Sequence, residues 1–136
     1  MRATQRVLKG LLIGISMLGW SMQTHAGEGP VFELRTYTVH EGRLPALESR
    51  FRDHTMRIFE KHGMRNVGYW IPEDTPNTLI YIIAHENGDP AANWQAFVSD
   101  PEWQAVYRDS RKDGPILVED GIVSQFMTAA DYSPVQ

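Results

Sequence analysis

The sequence predicts an α+β domain in which one four-stranded antiparallel sheet carries its helices on a single face. Two observations predict it. Strand-like and helical stretches alternate in the order β-α-β-β-α-β. The 136 residues, 42% hydrophobic, 10% aromatic and 22% charged, have the composition of one ordinary globular domain.

The first strand is Val31 to Val39 (VFELRTYTV), rich in β-branched and aromatic residues. Phe32 and Leu34 point to one face, and Glu33, Arg35 and Tyr37 to the other. Pro45 suits the first turn of a helix, and Leu44, Leu47, Phe51, His54, Thr55 and Ile58 recur at intervals of three and four residues up to Gly63, a C-terminal stop. Glu48 with Arg52, and Asp53 with Arg57, form i,i+4 pairs on the opposite, solvent-facing side. Met64 to Ile71 (MRNVGYWI) is the second strand, and turn residues from Pro72 to Asn77 lead into the third, Thr78 to His85 (TLIYIIAH). Asp89-Pro90 and Asp100-Pro101 each place a capping side chain before a proline, which predicts two short helices with a break near Ser99. Gly114-Pro115 ends them, and Ile122 to Thr128 (IVSQFMT) is the fourth strand.

Residues 1–26 have the layout of an export signal. Arg2, Arg6 and Lys9 precede an apolar run from Gly10 to Met22, shorter than the about 20 residues that span a bilayer, and Thr24 and Ala26 suit cleavage after Ala26. The competing reading is an uncleaved anchor. Cleavage predicts a mature domain of residues 27–136 in the periplasm or outside the cell, with no stable membrane anchor. The signal holds three of the 13 basic and none of the 17 acidic residues, so ten face 17 afterwards and the formal charge is −7. Nucleic acid is therefore not an expected partner. With no cysteine, disulfides, thiol catalysis and iron-sulfur clusters are excluded.

This element order is that of ferredoxin-like folds. The second face of its sheet, read as Glu33, Arg35 and Tyr37 beside Tyr81, Ile83 and His85, is too aromatic for a wetted surface, which predicts a homodimer whose sheets face one another. Several segments then carry a resemblance in order along the chain. They are Phe32-Glu33-Leu34-Arg35-Thr36-Tyr37, Phe51 with His54-Thr55, Glu60-Lys61-His62-Gly63-Met64, Val67-Gly68-Tyr69-Trp70, Trp94-Gln95-Ala96-Phe97 with Asp100-Pro101-Glu102-Trp103, and Phe126-Met127 with Asp131-Tyr132-Ser133-Pro134. Together they resemble the NIPSNAP family. The resemblance implies a dimeric α/β barrel built from ferredoxin-like protomers and implies no settled reaction.

His54, read on the apolar face of the first helix, is the candidate catalytic residue, as a general base or as a holder of a substrate oxygen. The alternative is a core histidine bonded to a backbone carbonyl or a tyrosine. His62, beside Gly63, reads as a helix-end cation. Glu33 and Arg35 either bind a polar ligand or pair across a dimer seam. Tyr69, Tyr81, Trp94, Phe97 and Phe126 are the candidate ligand-binding residues, drawn from an aromatic set whose default role is core packing. No helix carries histidines at i,i+3 or i,i+4, so no metal is expected. No cofactor is expected either, and haem, which related dimeric α/β barrels hold through one axial histidine, is left open. No GxGxxG, P-loop or GxSxG run occurs.

Three functions fit. The first is binding of a small, partly apolar molecule between helices and sheet, the second is a cofactor-free monooxygenase or isomerase using His54, and the third is a non-catalytic protein-interaction module.

Overall fold

A computed structural model describes residues 29–136, so the segment read as an export signal lies outside the described residues. Strand β1 (Val31–Val39) leads into α1 (Leu44–Arg50), a π turn (Phe51–Thr55) and α2 (Met56–Lys61), which together form the first helical stretch. Strands β2 (Met64–Trp70) and β3 (Thr78–His85) follow, then α3 (Pro90–Val98), α4 (Pro101–Ser110) and β4 (Leu117–Met127). The four strands pair antiparallel in the order β2-β3-β1-β4, the ferredoxin-like arrangement.

The local chemistry explains the boundaries. Pro45 opens α1, and Gly63, at a positive φ of 75°, turns the chain into β2. Asp89 accepts a hydrogen bond from the Ala92 amide and Asp100 from the Glu102 amide, so each aspartate starts its helix beside a proline. Asp100 also accepts from Lys61 and His62 at 2.6 and 2.7 Å, which ties the end of the first helical stretch to the start of α4. These bonds, with burial opposing them, hold the Asp100 carboxyl below its ordinary range.

The fourth strand starts five residues earlier than its apolar run. Leu117 pairs with Val39, after which the β1–β4 register shifts, and Asp120 takes a φ of 55° beside Gly121. The polar Glu119-Asp120-Gly121 segment hides the strand from a reading based on hydrophobic runs.

Which face the helices cover is a correction to the sequence reading. Glu33, Arg35 and Tyr37 register with Ile83, Tyr81 and Leu79 on β3 and with Phe126, Ser124 and Ile122 on β4, and this set lies beneath the helices. Strand alternation sorts residues into two sets but does not say which set the helices bury. Two charged residues argue for the outside only if they lack partners, and Glu33 has four. The core therefore packs Tyr37, Leu79, Tyr81 and Ile83 against Leu47, Phe51, Ile58, Phe59 and Phe97. The bare face instead carries Leu34 and Thr36, Ile80 and Ile82, and Val123, which is 62% exposed.

Candidate functional site

The helices do not close fully over the sheet. They leave a cavity of about 800 Å³ between β1, the π turn, α3 and α4. Its deepest side chains are the aromatic rings of Tyr37, Phe51, Phe59 and Phe97, all nearly inaccessible, with Trp94 and Trp103 along the walls. Val98, Tyr107 and Ile122, each 39 to 50% exposed, stand with Arg108 and Arg111 at its rim.

The polar centre of the site is built on Glu33, 1% exposed. Its carboxylate accepts hydrogen bonds from Arg35 Nη1 at 2.7 Å, Ser124 Oγ at 2.6 Å, Trp94 Nε1 at 2.7 Å and His85 Nε2 at 2.8 Å. Burial alone would push this carboxyl up. The bonds from His85, Ser124, Arg35 and Trp94 outweigh it and hold the carboxyl at about 2, so Glu33 is a carboxylate throughout the physiological range. Asn93 Nδ2 donates to His85 Nδ1 at 3.1 Å, which leaves Nε2 as the protonated nitrogen facing Glu33.

Glu33 in turn aims Arg35. The guanidinium carbon stands 4.3 Å from the Trp94 ring centroid and 5.3 Å from that of Tyr37, and Nη2 donates to the Tyr37 hydroxyl at 3.2 Å. Tyr81 donates to the same hydroxyl at 3.0 Å. With two donors already on its oxygen, Tyr37 has its own proton free to point into the cavity that it lines. Burial raises the pKa of Tyr81 and of Tyr69, which keeps both as neutral phenols. The arrangement can hold an oxygen atom of a bound molecule with an O–H donor and a guanidinium, against aromatic walls.

The residues expected from sequence divide around this site. Trp94 and Phe97 line the cavity. Tyr81 supports it from below through Tyr37. Tyr69 stacks on Tyr81 with ring centroids 5.2 Å apart and donates to Asn66 Oδ1, behind the lining. Phe126, 57% exposed on the edge strand, stands 6.4 Å from the His85 ring and outside the lining.

His54 is not on the apolar face, which corrects its expected placement. The π turn winds more residues into one turn than an α-helix does, so Thr55 takes the inward position below Phe51 and His54 turns outward. Thr55 Oγ1 donates to the Arg50 carbonyl oxygen at 3.2 Å inside this wider turn. His54 is exposed and borders a second groove between α1 and α4, with Asp53, Glu102 and Asp109 nearby, which shares Arg50 with the cavity. The histidine at the polar centre is His85.

Sequence reading missed Arg50, Thr55 and Trp103 as parts of one site. Arg50 stands three residues after Leu47, the spacing of a buried stripe, but a hydrophobic periodicity passes over a charged residue.

The model of the family described as NIPSNAP matches residues 32–134, nearly the whole described chain. The chain belongs to the NIPSNAP family. Among solved structures, this NIPSNAP domain is similar to a NIPSNAP family protein of unknown function from Agrobacterium tumefaciens. The identity is 25% and the TM-score 0.66, over 81% of this chain and 96% of that one. An uncharacterized NIPSNAP-like domain protein from Burkholderia xenovorans matches at 20% identity and TM-score 0.65, over 78% of this chain and 90% of the other. SnoaB, a cofactor-independent oxygenase from Streptomyces nogalater, shares the fold at 17% identity and TM-score 0.53, over 78% of this chain and 98% of its own. A search of the curated proteins finds no match.

Proposed function

We propose that this NIPSNAP domain is exported, pairs as a homodimer, and binds a small, partly apolar molecule in the cavity between helices and sheet. The observation that carries the binding reading is the cavity itself. It has the size of a small-molecule site, and its walls are aromatic with Arg35, Tyr37 and Thr55 as convergent polar groups. Export rests on the signal-like layout of residues 1–26, with cleavage after Ala26 releasing the domain into the periplasm or beyond.

The dimer reading rests on the bare face of the sheet. Leu34, Ile80 and Ile82 are only half-buried there, and Trp70, 52% exposed, lays its indole across Gly68 on the same face. An apolar sheet face of this kind calls for a cover, and a second copy's sheet supplies one of matching shape.

A second reading, cofactor-free oxygenation or isomerisation in the same cavity, is favoured by the fold likeness to SnoaB. In this chain the groups available to such a step are the Tyr37 hydroxyl and Arg35 rather than His54, which borders the other groove.

The test is a thermal-shift screen of small aromatic and heteroaromatic compounds against the protein and against Val98→Trp, which fills the rim. A compound at 100 times its Kd adds about 2.7 kcal/mol to stability. The proposal expects stabilising compounds whose effect disappears in the variant. Stabilisation that persists with the rim filled would overturn it.

A further inference from the structure

Four arginines border the cavity and no aspartate or glutamate does. This is the reverse of the chain's overall balance of 13 basic against 17 acidic residues. Arg35 is neutralised by Glu33. Arg50 is different. It is 5% exposed, and among the described residues its side chain makes one hydrogen bond, from Nη1 to the neutral Ser110 Oγ at 3.2 Å. Among the described residues no carboxylate pairs with it. Its guanidinium carbon lies 5.4 Å from the Trp103 ring centroid and 5.6 Å from that of Tyr107.

A buried guanidinium without an anion is costly, and two aromatic faces offset only part of that cost. We propose that Arg50 is the anion-recognition residue of the cavity, and that the ligand is a planar, singly charged organic anion. Its carboxylate or enolate oxygen would meet Arg50, and its apolar body would lie among the rings of Phe51, Trp94 and Phe97. This inference rests on the cavity being a binding site and names the class of molecule that it takes.

Three features fit this chemistry together. The planar fork of a guanidinium matches two oxygens of a carboxylate, and among the described residues Arg50 uses only Nη1 in a hydrogen bond. The Trp103 and Tyr107 rings flank the guanidinium and Ser110 accepts from its Nη1, so the donor is positioned before the ligand arrives. Arg108 and Arg111 are exposed at the rim, where they make the entrance positive on an otherwise acidic protein and steer anions toward it.

The experiment compares two probes of nearly equal shape, 2-naphthoate and its neutral amide, 2-naphthamide, by calorimetric titration of the full mature protein at neutral pH. The proposal expects naphthoate to bind roughly 10- to 100-fold more tightly, the range that a hydrogen bond to a charged group supports. It expects Arg50→Gln to remove that preference while naphthamide still binds, and Arg50→Lys to restore part of it. The wild-type comparison stands even if a variant fails to fold. Equal binding of the two probes, or a preference that survives Arg50→Gln, would overturn the anion assignment and leave the cavity reading intact. Binding of neither probe at millimolar concentration would overturn both.

Discussion

Replacing Glu33 by Gln tests the polar centre of the domain. The side chain keeps its shape and loses its charge, and one of the two oxygens that accept from Arg35 and Ser124, and from Trp94 and His85, becomes an amide donor facing other donors. Holding this carboxyl at about 2 rather than the ordinary 4.5 stabilises the folded protein by about 3 kcal/mol at neutral pH. The sign follows from the depressed value. The stabilisation is complete above about pH 4.5 and is lost as pH falls toward 2, where the folded protein takes up the proton. In the variant, Arg35 keeps its charge without a carboxylate partner, and its side chain is only 13% exposed. Breaking a buried pair in this way costs about 3–5 kcal/mol. Urea unfolding followed by circular dichroism, at one protein concentration and at several pH values from 7 to 2, measures both effects. The variant is expected to be less stable by about 3 kcal/mol or more at neutral pH, with the gap closing as the solution is acidified. A variant within about 1 kcal/mol of wild type at pH 7, or a gap that does not change with pH, would refute this account of the Glu33 cluster.

Further expectations follow from other parts of the fold. At Gly121 an added Cβ would stand 2.7 Å from the Thr38 carbonyl oxygen and 2.8 Å from that of Val118, so Gly121→Ala should cost about 1–3 kcal/mol in denaturant unfolding as β4 shifts against β1. Ile82→Lys places a charge on the bare sheet face, and light scattering after size exclusion should find a folded monomer for the variant and, on the proposed pairing, a dimer for the wild type. A wild-type monomer would remove the reason given for that apolar face. His54→Ala, at an exposed position beside the second groove, should change stability by less than about 0.5 kcal/mol and leave ligand-induced thermal shifts intact.

The sequence made the strands and caps legible because each rests on local chemistry. Asp89 and Asp100 stand before prolines and cap their helices as expected, and Val31–Val39 and Thr78–His85 are strands to the residue. Two features were hidden. The π turn at Phe51–Thr55 changes the helical phase, which turns His54 outward while Thr55 stays inward as read, and residue types alone do not signal it. The charged pair Glu33 and Arg35 read as a polar-ligand site or as a pair across a dimer seam. Only the fold brings Ser124, His85 and Trp94, 52 to 91 residues away in sequence, onto the same carboxylate. Trp94 and Phe97, drawn from an aromatic set whose helical spacing made core packing the default, line the cavity, whereas Arg50 shares a buried stripe with Leu47 and is passed over for its charge.

The central claim is that the cavity holds a small molecule, and native mass spectrometry of the protein recovered from the periplasm of an expressing cell tests it most directly. One spectrum reports cleavage, stoichiometry and retained ligand. The account predicts a dimer of chains beginning at Gly27 that carries extra mass of small-molecule size, with that mass absent from Val98→Trp prepared in the same way. Extra mass that remains on the rim-filled variant, or a bare protein that also takes up none of the screened compounds, would contradict it.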